Sequence, residues 1–146
     1  MKAFIDTNLF VYATYSSFPE HSKAKDFLKN CLQENDLWYF SWGVIYEYLR
    51  VVTHPQLFKG QTLTLEAALQ NVVFFSSAPN ITILAETEDH LTYLRDLSKW
   101  NFRLVGNLIH DAHHVALMRE HDISIIYTAD SDLHRFPKIK VVNPLL

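Results

Sequence analysis

Ile123-Ser124-Ile125-Ile126-Tyr127-Thr128-Ala129-Asp130-Ser131-Asp132 is the stretch on which the fold turns. Its first five residues are almost all β-branched or aromatic, the composition of a buried strand. The polar run after them is turn chemistry, so Asp130 falls just beyond a strand end. The same succession opens the chain. Met1 to Ile5 reads as a short buried strand that stops at Asp6.

Between these two ends, strands and helices alternate. Ala24, Phe27, Leu28, Cys31 and Leu32 recur at helical spacing across Glu20 to Gln33. Trp38-Tyr39-Phe40 is a short strand, and Ser41 is placed to cap a helix running through Val52, ahead of His54-Pro55. Thr64 is expected to cap a helix carrying Leu65, Ala68, Leu69, Val72 and Val73 that ends before Pro79. Ile81 to Leu84 reads as a strand, and Thr87 as the start of a capped helix leading to Trp100. Asn107 is expected to cap a helix from Leu108 to about Glu120, and Val141-Val142 reads as a last short strand. Such alternation predicts an α/β sandwich around a central, mostly parallel sheet flanked by helices. Sheets of this kind bind ligands beyond the carboxyl ends of their strands, where Asp6 and Asp130 are both expected.

Composition narrows the class. The 146 residues fit a single domain, 1–146, and only three glycines and five prolines punctuate it. Cys31 has no partner for an internal disulfide and lies in an apolar helical stripe, so it reads as a core thiol. No apolar run approaches the ~18 residues of a membrane span. Lys2 followed at once by Ala-Phe-Ile-Asp is too short and too soon acidic for a signal peptide, so a cytoplasmic protein is expected. The net charge of −3 argues against a nucleic-acid coat protein but leaves a nuclease open, since metal-holding carboxylates count against it. From His134 onward Arg135, Lys138 and Lys140 stand without acids, either a solvated tail or an edge that tracks phosphates.

Two further acids occupy unusual places. Glu47 interrupts Trp42-Gly43-Val44-Ile45-Tyr46-Glu47-Tyr48-Leu49, where an unpaired buried carboxylate would be costly. Asp111 lies about one turn into its helix, in Leu108-Ile109-His110-Asp111-Ala112. Each acid alone has an ordinary explanation. Asp6 can cap a helix near Asn8, Glu47 can pair with Arg50, Asp111 can meet the helix dipole, and Asp130 and Asp132 can be turn residues. Caps and turns do not explain their convergence on one crevice. Clustered hard oxygen donors suit Mg²⁺ or Mn²⁺. Eight histidines are present, and His110 and His114 have i,i+4 spacing that can serve zinc with Asp111. The glutamate of a zincin helix is absent, so these histidines, with His113, are expected to face solvent or to support the site.

Phe4-Ile5-Asp6-Thr7-Asn8, Glu47 in its aromatic helix, His110-Asp111-Ala112 and Thr128-Ala129-Asp130-Ser131-Asp132-Leu133 together resemble the PIN-domain ribonucleases, most closely VapC-like toxins of bacterial toxin–antitoxin pairs. The endings His134-Arg135-Phe136-Pro137 and Asn143-Pro144-Leu145 resemble them too, so the likeness spans nearly the whole chain. It implies a PIN-like three-layer sandwich, often homodimeric, that hydrolyses RNA to 5′-phosphate and 3′-hydroxyl ends with Mg²⁺ or Mn²⁺. Carried over residue by residue, Asp6 and Asp111 hold metal directly, Glu47 positions metal or water, and Asp130 completes the site. Asp132 supports a second ion or a turn, Thr7 and Asn8 hold the Asp6 loop, and Thr128 orients Asp130. A cognate antitoxin partner is implied as well. Apolar and aromatic residues around Trp38, Trp42, Tyr46 and Phe74-Phe75 are candidates for its groove, with core packing as their ordinary role. Two departures stand out: Leu133 where Phe is common, and Lys138 where Gly often follows Phe-Pro, a change able to alter that loop. The competing readings are a catalytically inactive PIN-fold protein that binds RNA or a partner, and a phosphatase of the haloacid-dehalogenase kind. The latter expects an acid where Asn8 stands.

Overall fold

Five short apolar segments form one sheet in the computed structural model, which describes residues 1–100 and 103–146. They are β1 (Lys2–Ile5), β2 (Leu37–Ser41), β3 (Ile81–Leu84), β4 (Ile125–Tyr127) and β5 (Lys140–Val142). Their order is β3-β2-β1-β4-β5, and every pairing is parallel. Ala3, Phe4 and Ile5 are fully buried, which explains why β1 reads as an unbroken apolar run: it is covered on both faces. The chain steps from β1 outward through β2 to β3, then returns to the other side of β1 for β4 and β5. Strand order therefore reverses between β1 and β4, and the crevice at their carboxyl ends is where such sheets bind ligands.

Six helices flank this sheet among the described residues: α1 (Thr7–Thr14), α2 (His21–Gln33), α3 (Trp42–Val52), α4 (Leu65–Ser76), α5 (His90–Leu97) and α6 (Leu108–Glu120). Ser41 and Thr64 cap α3 and α4 as expected, accepting from Val44 N and Ala67 N at 3.1 Å each. Two expected caps fail. α5 begins at His90, and Thr87 makes a turn ahead of it instead: its Oγ1 accepts from Asp89 N at 3.2 Å, while its N and Oγ1 donate to Glu120 Oε1 at 2.9 and 2.7 Å. Asn107 has helical backbone angles and makes no side-chain cap bond; Gly106, at φ +58°, turns the chain into α6 instead. The strand expected over Ile123 to Tyr127 pairs only from Ile125. None of the helices among the described residues is long and apolar enough to cross a membrane.

α6 is the most deeply embedded helix. Ala112 and the run from Val115 to Met118 are fully buried, so His114 is carried into the interior with them. Cys31 is fully buried too, and burial pushes its thiol well above the ordinary range, as suits a packing residue. Trp38 and Phe75 are core residues, whereas Trp42, Tyr46 and Phe74 are exposed.

The Lys138 departure has a backbone consequence. Its φ of +61° lies in the left-handed region that a side chain resists and glycine tolerates. Lys138→Gly should raise stability by about 1 kcal/mol, partly offset by the greater freedom of the unfolded chain. Chemical denaturation would show a higher midpoint, and an unchanged or lower one would contradict the strain.

Candidate metal centre and active site

The site begins with a backbone bond. Asp6 N donates to Tyr127 O at 3.0 Å, extending the β1–β4 pairing one residue past the end of β1. That contact sets the Asp6 turn beside the Thr128 turn. Thr128 Oγ1 donates to Asp6 Oδ2 at 2.7 Å and accepts from Asn8 Nδ2 and Asp130 N, both at 3.0 Å. Asn8 closes the link, since its Oδ1 accepts from Ala129 N at 3.1 Å while its Nδ2 also lies 3.3 Å from Asp6 Oδ2. Asp6 is simultaneously the N-cap of α1, with Oδ1 accepting from Thr7 N at 2.7 Å. Its capping role and its place in the cleft coexist.

Glu47 enters from α3. Thr7 Oγ1 donates to its Oε2 at 2.9 Å, so the acid is held across the cleft by the residue after Asp6. Its side chain is 41% exposed, which removes the desolvation cost anticipated from its apolar surroundings, and no ion pair links it to Arg50 among the described residues. From α6 comes Asp111. One carboxylate oxygen from each of Asp111, Asp130 and Asp132 lies within 4.8 Å of the others. Asp6 lines the same cleft without belonging to that close trio. Asp130 also accepts from Asp132 N at 2.8 Å, capping the short 3-10 helix Ser131–Arg135, so it too combines turn and cleft roles.

The cleft has a volume of about 890 Å³, and Asp6, Glu47, Asp111, Asp130 and Asp132 all line it. Asp111 is pushed up to about 7, first by burial and then by the negative charges of Asp130, Asp6, Asp132 and Glu47. A divalent cation among these oxygens would reverse that repulsion. The donor set is all oxygen and fits a hard ion such as Mg²⁺ or Mn²⁺.

Sequence reasoning placed little weight on His114. It lies three residues past Asp111, on the same side of α6, and is 4% exposed. Its Nε2 faces Asp6 Oδ1 at 3.8 Å and Glu47 Oε2 at 3.9 Å, while Nδ1 has no hydrogen-bond partner among the described residues. Burial holds the imidazole below the usual histidine range, although Asp6 and Glu47 pull the other way. The apolar run that follows His114 is the sequence feature that could have revealed its burial. His110 is exposed at the mouth, with Arg50 also on the lining. Arg135 stands 3.9 Å from Asp132, so one cation of the basic tail reaches the rim.

The chain matches the PIN domain family model over residues 3–139. It is 37% identical over 144 residues to Ribonuclease VapC48 of Mycobacterium tuberculosis, covering 99% of this chain and 98% of that protein. Ribonuclease VapC37 of the same species is 30% identical over 143 residues, covering 96% and 95%. Among solved structures, VapBC2 from Rickettsia felis, bound to a promoter DNA fragment, superposes with a TM-score of 0.69 at 17% identity and 98% coverage of both chains. Mycobacterium tuberculosis VapC20, a Sarcin-Ricin loop cleaving toxin, gives 0.64 at 17% identity, over 90% of this chain and 92% of that one.

The raised carboxyl makes a stability prediction with a definite sign. Below about pH 4 Asp111 is protonated both folded and unfolded and carries no penalty. Between about pH 4 and 7 the unfolded chain releases this proton while the fold retains it, so stability falls as pH rises. Metal-free Asp111→Asn should therefore melt above wild type at pH 8, with the gap closing toward pH 4. Thermal melts in chelator check this, and a gap independent of pH would contradict it.

Proposed function

The chain belongs to the PIN-domain family and is a VapC-like endoribonuclease, and from that premise we propose that its acid cleft hydrolyses RNA phosphodiesters with Mg²⁺ or Mn²⁺. The observation that carries this reading is the convergence of Asp111, Asp130 and Asp132 within 4.8 Å, in the cleft that Asp6 and Glu47 also line. Asp6, Asp111, Asp130 and Asp132 would hold the ion. Bound there, it would polarise the phosphodiester and acidify a water molecule. Glu47 would accept the proton of an attacking water, a role supported by its bond from Thr7 and its partial exposure. Buried His114 would back Asp6 and Glu47. Arg50, His110 and Arg135 surround the mouth, where flanking phosphates would lie. In-line attack would leave 5′-phosphate and 3′-hydroxyl ends, and an unpaired loop is the form of RNA best able to enter.

We assign the chain to the toxin side of a toxin–antitoxin pair acting in the cytoplasm. An apolar groove of about 600 Å³, lined in part by Phe10, Leu28, Leu32, Val72 and Phe74, is suited to an antitoxin segment. Lys25 and Lys29 also line it and favour an acidic one. Leu65, Leu69, Val73 and Phe74 form an exposed apolar face on α4 that supports a homodimer.

The test is cleavage of a mixed RNA pool by purified protein with Mg²⁺, with Mn²⁺ and with chelator. Asp6→Asn should lose more than about 100-fold in rate, and chelator should silence wild type. Cleavage by Asp6→Asn at the wild-type rate would remove the assignment. Thr128→Val, which unpins Asp6 without altering any acid, should lose roughly 10- to 100-fold. Full activity in that variant would mean that the Thr128 hydroxyl does not position the site.

A further inference from the structure

Beside the acid cleft lies a second cluster of different chemistry. Glu86 follows β3, His90 opens α5 and His113 sits in α6. One potential ligand atom from each lies within 4.8 Å of the other two. We propose that these three residues form a binding site for a borderline divalent cation of the Zn²⁺ type, distinct in its donors from the carboxylate cluster whose cleft His113 also lines. Two imidazoles and one carboxylate are a common zinc donor set, leaving a fourth position for water.

Three further observations support the assignment. First, His90 is oriented as metal-binding histidines are. Its Nδ1 pairs with Glu120, a carboxylate whose side chain is 0% exposed and which also accepts from Thr87 N and Oγ1. A buried carboxylate on one ring nitrogen fixes the imidazole and leaves Nε2 for an ion. Second, His113 Nε2 and Glu86 Oε1 already meet at 2.6 Å, and the His90 and His113 rings stand edge to face with centroids 5.4 Å apart. Zn–N bonds near 2.0–2.1 Å place tetrahedral donors roughly 3.4 Å apart, so modest side-chain rotation admits an ion. Third, Gly43 leaves room for His113, because a Cβ there would lie 3.1 Å from its Cε1.

Imidazole donors favour Zn²⁺, whereas Mg²⁺ prefers the carboxylates, so the two sites would sort ions by donor type. An ion at the mixed site would tie the loop after β3 and α5 to α6. It would also fix His113, the neighbour of His114 in the cleft wall.

Chelator-stripped protein would be titrated with Zn²⁺ against a chromophoric chelator, in a large excess of Mg²⁺ to fill the acid cleft. Wild type should take up one Zn²⁺ that Mg²⁺ does not displace. Glu86→Gln and His90→Ala should each weaken uptake by about tenfold or more, with Asp111→Asn unchanged. Glu86 is exposed, so its variant tests the site without threatening the fold. Co²⁺ in place of Zn²⁺ should give the visible bands of a four-coordinate ion in wild type and not in His90→Ala. Zn²⁺ uptake unaffected by both variants, displaced by Mg²⁺, or abolished by Asp111→Asn would overturn the proposal.

Discussion

The parallel pairing of β1 with β4 is what the rest of the site hangs from. It places two strand ends side by side, and the bond from Asp6 N to Tyr127 O carries that register into the turns beyond. Without it, Thr128 could not reach Asp6 and Asn8 could not reach Ala129. The neutral donors and acceptors of Thr128 and Asn8 stitch two acidic turns together where charge alone would force them apart. The helices then add the remaining acids: α3 brings Glu47 to the Thr7 hydroxyl, and α6 brings Asp111 toward Asp130 and Asp132. The network organises the carboxylates without neutralising them, and Asp111, raised first by burial, is raised further by the repulsion that remains.

Much of this could be read from the residues because the informative patterns are local. The unbroken apolar run of β1 follows from burial on both faces, and Ser41 and Thr64 cap helices by contacts three residues away. What escaped the sequence depends on distant partners. Thr87 looks like a cap, yet its oxygen serves a turn at Asp89 N and its hydroxyl donates to Glu120, more than thirty residues later. Asn107 looks like a cap, yet Gly106 supplies the turn. Glu47 seemed a buried charge because its neighbours are apolar, and only the open cleft shows that it keeps contact with water. His114 was one of three histidines on a helix, and its burial became visible only with the packing of α6. Of the apolar and aromatic residues considered for a partner groove, Trp38 and Phe75 pack inside and Phe74 stays out, a division that spacing does not reveal.

The two clusters show how donor type follows position. Oxygen ligands gather where strand ends and helix starts present aspartates to the switch-point crevice. The mixed cluster forms where α5 crosses α6, with Glu120 fixing one histidine from behind. α6 serves both: Asp111 and His114 bear on the acids, and His113, also in the cleft wall, meets Glu86 and His90. A short stretch of one helix thus bears on the acid cleft and on a neighbouring site of different affinity.

Anomalous diffraction from crystals soaked in Mn²⁺ would show whether these carboxylates share a hard divalent ion. If they do, a manganese peak will stand in the cleft within bonding distance of Asp111 and at least one other of its carboxylates. A cleft without such a peak at saturating Mn²⁺, in protein that cleaves RNA under the same conditions, would contradict the shared ion.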